Sequence, residues 1–216
     1  MKILITGAGG QLGCALQTVL ANREVIALTR AELDITNFDE VRSAVSANRP
    51  NLVINCAAYT AVDLAESDEA GAFKLNADGP RHLAEATAEH GIALVQVSTD
   101  YVFDGTGDSP YNEFDQTNPQ SVYGRSKLAG EQAVASINPR HFIARTAWLY
   151  HHEPANAKNF PKTMLAQSHR ESVKVVNDQY GSPTYAPHLA EAIARLIKTE
   201  AYGVYHLAGS GQATWF

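Results

Sequence analysis

No apolar stretch in this chain approaches the ~18 residues that a membrane-spanning helix needs. The N-terminal segment also lacks the layout of a secretory signal. Runs of five or more basic residues are absent. With a net charge of −6 and a pI near 5.7, the chain is a poor match for a phosphate backbone, which argues against a nucleic-acid binder. Cysteine is scarce, with Cys14 and Cys56 alone. Without a secretory signal, a reduced pair in the cytoplasm is expected rather than a disulfide. Both read as small buried residues rather than catalytic thiols. No internal repeat and no low-complexity segment is found. What remains is an ordinary globular composition, 45% hydrophobic and 19% charged over 216 residues. That is enough for one α/β domain, or one and part of a second.

Short apolar runs alternate with helical patterns. Strands are expected at Met1–Thr6, Glu24–Leu28, Leu52–Asn55, Ile92–Val97 and His141–Ala144. Between them, helices are expected at Cys14–Leu20, Phe38–Asn48, Ala70–His90 and Ser121–Ser136. The alternation predicts an α/β fold, a doubly wound parallel sheet of the Rossmann type with right-handed crossovers. Ligands of such sheets bind beyond the carboxyl ends of the strands. Gly7, Arg30, Ala57, Thr99 and Trp148 all fall at or just past predicted strand ends, so they should converge on one crevice. After Tyr150 the texture changes. A polar loop over 151–158, a helix over Phe160–Gln167, a strand over Val173–Val176, a helix over Leu189–Thr199 and a last strand over Tyr205–Ala208 are expected. His151-His152-Glu153 has no well-spaced partner and reads as a solvated loop rather than a metal site. The division expected is a dinucleotide-binding domain over 1–149, and over 150–216 a mixed segment carrying a smaller, incomplete substrate lobe and late strands of the sheet.

Two motifs carry chemistry. The first strand runs into Gly7-Ala-Gly-Gly10-Gln-Leu-Gly13 and then into a helix, the order of a pyrophosphate cradle. Gly7 permits the tight turn, Gly10 lets the backbone approach the phosphates, and Gly13 lets the helix pack on the sheet. The second motif is Tyr123-Gly-Arg-Ser-Lys127, 24 residues after Thr99. Its i, i+4 spacing stands phenol and ammonium on one helix face. An ammonium about 4–5 Å away favours the phenolate by roughly 3–4 kcal/mol at an effective dielectric of about 20, which would bring the phenol toward the neutral range. Downstream of the second strand, Ala27-Leu-Thr-Arg30 offers no acid until Glu32. Arg30 is therefore placed to fork onto a 2′-phosphate, and NADPH is expected over NADH.

The glycine turn, Thr99, Tyr123 and Lys127 together resemble the extended short-chain dehydrogenase/reductase superfamily. Longer strings resemble one branch of it, the dTDP-4-dehydrorhamnose reductases. They are Asn55-Cys-Ala-Ala-Tyr-Thr-Ala-Val-Asp63, Ser98-Thr-Asp-Tyr-Val-Phe-Asp-Gly105, Tyr123-Gly-Arg-Ser-Lys-Leu-Ala-Gly-Glu131, Arg145-Thr-Ala-Trp-Leu-Tyr150 and Asn177-Asp-Gln-Tyr-Gly-Ser-Pro-Thr184. The resemblance implies a cytoplasmic enzyme that reduces the C4 keto group of a nucleotide-linked sugar with NADPH, NADH being accepted by some members. Tyr123 would donate the proton to the C4 oxygen, Lys127 would hold the nicotinamide ribose and lower the phenol pKa, and Thr99 would hydrogen-bond the reacting oxygen. The dinucleotide would be held by Gly7, Gly10, Gln11, Leu12, Gly13, Arg30, Asp34, Ile35, Ala57, Ala58, Tyr59 and Asn76, together with Tyr123 and Lys127. Asp34-Ile35 would flank the adenine. The sugar would meet Thr99, Asp100, Tyr101, Val102, Phe103, Tyr123 and Trp148, although core packing is the alternative for Trp148.

The chain departs from that branch in places. Some members use a first-helix glutamate toward a dimer-bridging magnesium. Here Cys14-Ala15-Leu16 stands there, so no metal is expected and a homodimer is left open. His188 replaces a frequent aspartate. Members continue past the position of Phe216, where a helix would begin, so the chain is expected to hold dinucleotide more securely than sugar. Two other readings stay open: a nucleotide-sugar epimerase or dehydratase of the same superfamily, and a dinucleotide-binding regulatory subunit. Against a dehydratase, Asp100 is followed by Tyr101 rather than a second acid. Against a regulatory subunit, Thr99, Tyr123 and Lys127 are all present.

Overall fold

Apolar runs of four to seven residues form the central strands, and the computed structural model describes residues 1–154 and 158–216. The first half alternates β1 (Lys2–Thr6), α1 (Gln11–Val19), β2 (Glu24–Leu28), α2 (Phe38–Asn48) and β3 (Leu52–Asn55). Next come α3 (Val62–Ala65), α4 (Glu69–Phe73), a π turn over Lys74–Asp78 and α5 (Gly79–Ala88). Then follow β4 (Ala93–Thr99), a 3-10 turn at Asp100–Val102, α6 (Val122–Ile137) and β5 (His141–Thr146). The remainder holds β6 (Leu149–Tyr150), α7 (Phe160–Ala166), β7 (Tyr180–Gly181), β8 (Thr184–Tyr185), α8 (Ala186–Leu196), β9 (Gly203–His206) and β10 (Ala213–Thr214).

Six strands form one parallel sheet in the order β2-β1-β3-β4-β5-β9. The winding reverses between β1 and β3, which opens a crevice at their carboxyl ends. Strand alternation divides the core into two layers. Ile3, Ile5, Leu52, Ile54 and Phe142 meet Leu12 and Leu16 of α1 and Leu189 and Ile193 of α8. On the other face, Leu4, Val53 and Leu94 meet Val41 and Val45 of α2, Leu83 of α5 and Val134 of α6. Each such aliphatic side chain contributes about 1.5–3 kcal/mol by leaving water.

Helix α2 begins where Asn37 accepts hydrogen bonds from the Asp39 and Glu40 amides, as an N-cap should. It ends at Arg49, which takes a left-handed conformation before Pro50. The expected helix over Ala70–His90 is interrupted by the π turn, an insertion that propensity does not signal. The expected strand over Val173–Val176 does not form. Its valines sit largely exposed, and the Val176 carbonyl accepts one bond, from Phe216. β-Branched residues make a strand only beside a partner edge. At the chain end, Ala213–Thr214 pairs antiparallel with Tyr180–Gly181 rather than opening a helix. Of the loop expected over 151–158, residues 155–157 lie outside the described residues. Among the described residues, no helix is long and apolar enough to cross a membrane.

Candidate active site

The glycine turn closes against the end of β3. Gly7 has φ +64°, and a Cβ there would lie 2.6 Å from the Ala57 nitrogen. Gly13 seats α1 on the turn, since a Cβ would lie 2.6 Å from the Gly7 carbonyl oxygen. Gly9 and Gly10 stay exposed at the amino end of α1, and Leu12 is buried beneath them. A pyrophosphate fits this cradle, with amides and a helix N-terminus facing it. Ala57 and Ala58 border it, both half-buried. Gln11 is the first residue of α1, beside the cradle. Its side-chain oxygen accepts from the His151 amide at 2.8 Å and from Asn159 Nδ2 at 2.7 Å, tying α1 to the 151–159 segment.

Beneath the crevice runs a buried polar chain. Thr6 Oγ1 donates to Asn55 Oδ1 at 2.6 Å, Asn55 Nδ2 to Gln96 Oε1 at 2.8 Å, and Gln96 Nε2 to the Val97 carbonyl at 2.8 Å. These bonds lock the ends of β1, β3 and β4 together. The sequence reading missed all three residues. Their signal was a polar residue closing or interrupting each apolar run.

Thr99 ends β4, and its hydroxyl accepts from the Tyr101 amide at 3.2 Å and donates to Asp100 Oδ1 at 2.9 Å. Tyr123 lies in the first turn of α6. Burial pushes its phenol up to about 12, while the hydrogen bond with Thr99 pulls the other way and Asp100 adds to the rise. Lys127, one turn on, is 4% exposed and donates to the Val97 carbonyl at 2.7 Å. Burial lowers its ammonium to about 8 against the pull of Glu131. The phenol therefore does not move toward the neutral range that the i, i+4 spacing suggested: desolvation raises it, and the Lys127 ammonium is turned to Val97.

Glu131 pairs with Arg145 of β5 through three contacts of 2.7–3.2 Å, both side chains buried. Ser121 caps α6 by accepting from the Gly124 amide, and Glu66 accepts from the Val122 amide at 2.8 Å. Gly124 and Gly130 let α6 press onto the main chain of Tyr101 and Asn76. Asn76, expected at the dinucleotide, is 1% exposed and clamps Tyr59 to α6. Its amide accepts from Tyr59 N at 2.8 Å, donates to Tyr59 O at 3.0 Å, and donates to Ser126 Oγ at 3.0 Å. Ser126 in turn donates to the Tyr123 carbonyl.

Among the residues expected at the sugar, Tyr101 stands edge-on to Tyr123 with centroids 5.5 Å apart and is 38% exposed. Asp100 has its carboxyl raised by burial. Val102 is fully buried, and Phe103 stacks on Tyr111 at 4.4 Å beneath the Arg145 guanidinium. Both side chains, expected at the sugar, are enclosed by the protein, because burial claims the apolar half of that string. Its final acid, Asp104, accepts from Thr106, Tyr111 and Asn118, which hold its carboxyl well below the usual range. Trp148, at φ +46°, stacks on Trp215 at 3.8 Å with Gly181 against its ring. Trp215 was not anticipated, since the pairing joins positions far apart in the chain.

At the far end, Arg30 is exposed, and Glu32 folds back to accept from the Thr29 amide and hydroxyl, each at 2.8 Å. Asp34 accepts from the Thr36 amide, and its carboxyl is lowered by that bond with help from Arg30 and Lys74. Ile35 is buried against Gly79. Its side chain packs against the first residue of α5. Cys14 and Cys56 are both free, and burial pushes the Cys56 thiol up to about 12.

Known proteins resemble this chain along its whole length. A dTDP-4-dehydrorhamnose reductase of Streptomyces griseus is 47% identical over 221 residues, covering 98% of this chain and 72% of the relative. A dTDP-4-keto-6-deoxy-D-glucose reductase of Streptomyces niveus is 45% identical over 217 residues, covering 99% and 74%. The crystal structure of the Bacillus anthracis dTDP-4-dehydrorhamnose reductase in complex with NADP superimposes with a TM-score of 0.96 at 44% identity, covering 100% and 78%. The family model of the RmlD substrate binding domain matches residues 1–216, and the chain belongs to that family.

Proposed function

We propose that this chain reduces the C4 keto group of dTDP-4-dehydro-6-deoxy-L-mannose to dTDP-L-rhamnose, using NADPH. The observation that carries the reading is the meeting of Thr99, Tyr123 and Lys127 beside an open glycine cradle. The dinucleotide, when bound, supplies the hydride. The exposed turn at Gly9 and Gly10 would hold its pyrophosphate, Arg30 its 2′-phosphate, and Lys127 its ribose. Glu32 is already spent on Thr29, which leaves Arg30 the freer of the two. A phenol near 12 stays protonated at neutral pH, and that suits a group whose task is to give a proton. The phenolate left behind is costly in so buried a place. The Thr99 hydroxyl and the Lys127 ammonium are the groups able to meet it. Tyr101 and Trp148 would flank the sugar. We assign residues 1–149 to the dinucleotide half and 150–216 to a mixed segment carrying the substrate lobe and β9, and we place the reaction in the cytoplasm.

The test is oxidation of NADPH, followed by absorbance, with the 4-keto sugars of the L-manno and D-gluco series offered separately. Tyr123→Phe keeps the ring and loses the proton. It should bind NADPH as the wild type does, while turnover falls by about 10²–10⁴-fold. Wild-type turnover by that variant would overturn the assignment, and preference for the D-gluco sugar would redirect the substrate.

A further inference from the structure

A threonine hydroxyl has one proton to give, and in this site two groups compete for it. Thr99 Oγ1 donates to Asp100 Oδ1 at 2.9 Å and receives the Tyr101 amide at 3.2 Å. Its hydrogen bond with the Tyr123 phenol is the third contact on the same oxygen. While the proton lies on the line to Asp100, Thr99 offers Tyr123 and any reacting oxygen only a lone pair. A lone pair accepts from a phenol but repels a phenolate or a developing alkoxide. The reductase reading, on which this inference rests, needs Thr99 as a donor at that moment.

We propose that Asp100 is a positioning residue whose neutral carboxyl turns the Thr99 hydroxyl toward Tyr123 and the reacting oxygen. When the carboxyl carries a proton, its O–H donates to Thr99 Oγ1 and the bond between them reverses. The Thr99 proton is then released to the catalytic side. When the carboxyl is ionised, it draws that proton back. No bond other than hydrogen bonds changes, and the net proton is exchanged with solvent at Asp100, which is only partly covered. Burial raises the Asp100 carboxyl, so the neutral form persists above the ordinary aspartate range. The titratable groups facing it are Tyr123 from α6 and Tyr101 on its own turn, with Asp63 of α3 acting on Tyr101. Any negative charge among these favours the neutral carboxyl further.

The experiment is kcat against pH for the wild type, Asp100→Asn, Thr99→Val and the double variant. Alongside it, Asp100 is titrated by carbon-13 NMR of its carboxyl in the wild type and in Thr99→Val. Wild-type kcat should fall as pH rises through the carboxyl titration. Both single variants should lose that limb. Thr99→Val should cost about 10²–10³-fold in kcat, the usual loss of one such donor, and the double variant should cost no more. A carboxylate acting directly on the sugar would instead leave the limb in Thr99→Val, and that result overturns the proposal. Additive losses, or a carboxyl titration far from the kinetic limb, overturn it as well. If the wild type turns over no keto sugar, the reductase reading fails on its own. The NMR arm still decides the Thr99–Asp100 bond: Thr99→Val should move the carboxyl titration upward, and an unmoved titration refutes the bond.

Discussion

Replacing Lys127 by methionine should make this protein more stable and less active at once. The ammonium sits 4% exposed, with its hydrogen bond directed to the Val97 carbonyl. Burial takes it from 10.5 to about 8. At 1.36 kcal/mol per pH unit, that shift corresponds to about 3 kcal/mol of folding free energy lost in charging the buried amine. The sign follows from proton binding: the unfolded chain holds the proton more tightly. The penalty is complete below pH 8, and stability rises as pH climbs from about 8 to 10.5. Methionine fills the lysine stem without the charge. The lost bond to Val97 subtracts about 1 kcal/mol, and that carbonyl keeps Gln96 Nε2 at 2.8 Å. A net gain of about 2 kcal/mol at pH 7 predicts a Tm higher by about 4–8 °C, measured by circular dichroism on the unliganded protein. The gap should close near pH 10. A variant that melts at or below the wild type at pH 7, or whose advantage persists unchanged at pH 10, refutes the reasoning.

Other perturbations follow the same geometry. Glu131→Gln strands the buried Arg145 guanidinium and should cost about 3–5 kcal/mol in urea unfolding, whereas Glu131→Gln combined with Arg145→Met should recover most of it. A loss under 1 kcal/mol in the single variant would show the pair to be inert. Arg30→Ala should reduce NADPH affinity about 10- to 100-fold by calorimetry while leaving NADH little changed, and equal wild-type affinities for the two would count against the 2′-phosphate contact. Gly7→Ala combines a φ of +64° with a Cβ 2.6 Å from the Ala57 nitrogen. It should weaken dinucleotide binding and lower Tm together, and normal NADPH affinity would mean the turn is not the cradle.

The strands were legible because a buried parallel strand is a short apolar run, and Leu52–Asn55 falls where that pattern says. Phe38–Asn48 was legible from its Pro50 stop, and the Asn37 cap became visible only in the fold. The glycine turn and the Tyr123–Lys127 pair were visible as local spacing. What stayed hidden depends on neighbours remote in sequence. The Asn76 clamp reaches back 17 residues to Tyr59, the Trp148–Trp215 stack joins the two ends of the C-terminal third, and Glu131 finds Arg145 across a strand. Val173–Val176 erred the other way, carrying strand composition with no edge to join. The phenol shift was misjudged because spacing reveals which charges are near and says nothing of how much water they have lost.

Helix α6, which carries Tyr123 and Lys127, is docked by its missing side chains. Gly124 and Gly130 bring α6 against the carbonyls of Tyr101 and Asn76, so the placement of Tyr123 is gauged by main chain resting on main chain. Backbone is the one part of a protein that every sequence shares. A core methyl can be gained or lost elsewhere, and the layer can relax around it, without retuning the distance from phenol to crevice. The same gauge makes two positions intolerant: a single methyl at either would wedge the helix outward, and a displacement of about 1 Å at reacting atoms is worth about 10²-fold in rate. Precision here is inherited from covalent geometry, which frees the surrounding surface to vary with the sugar it must recognise.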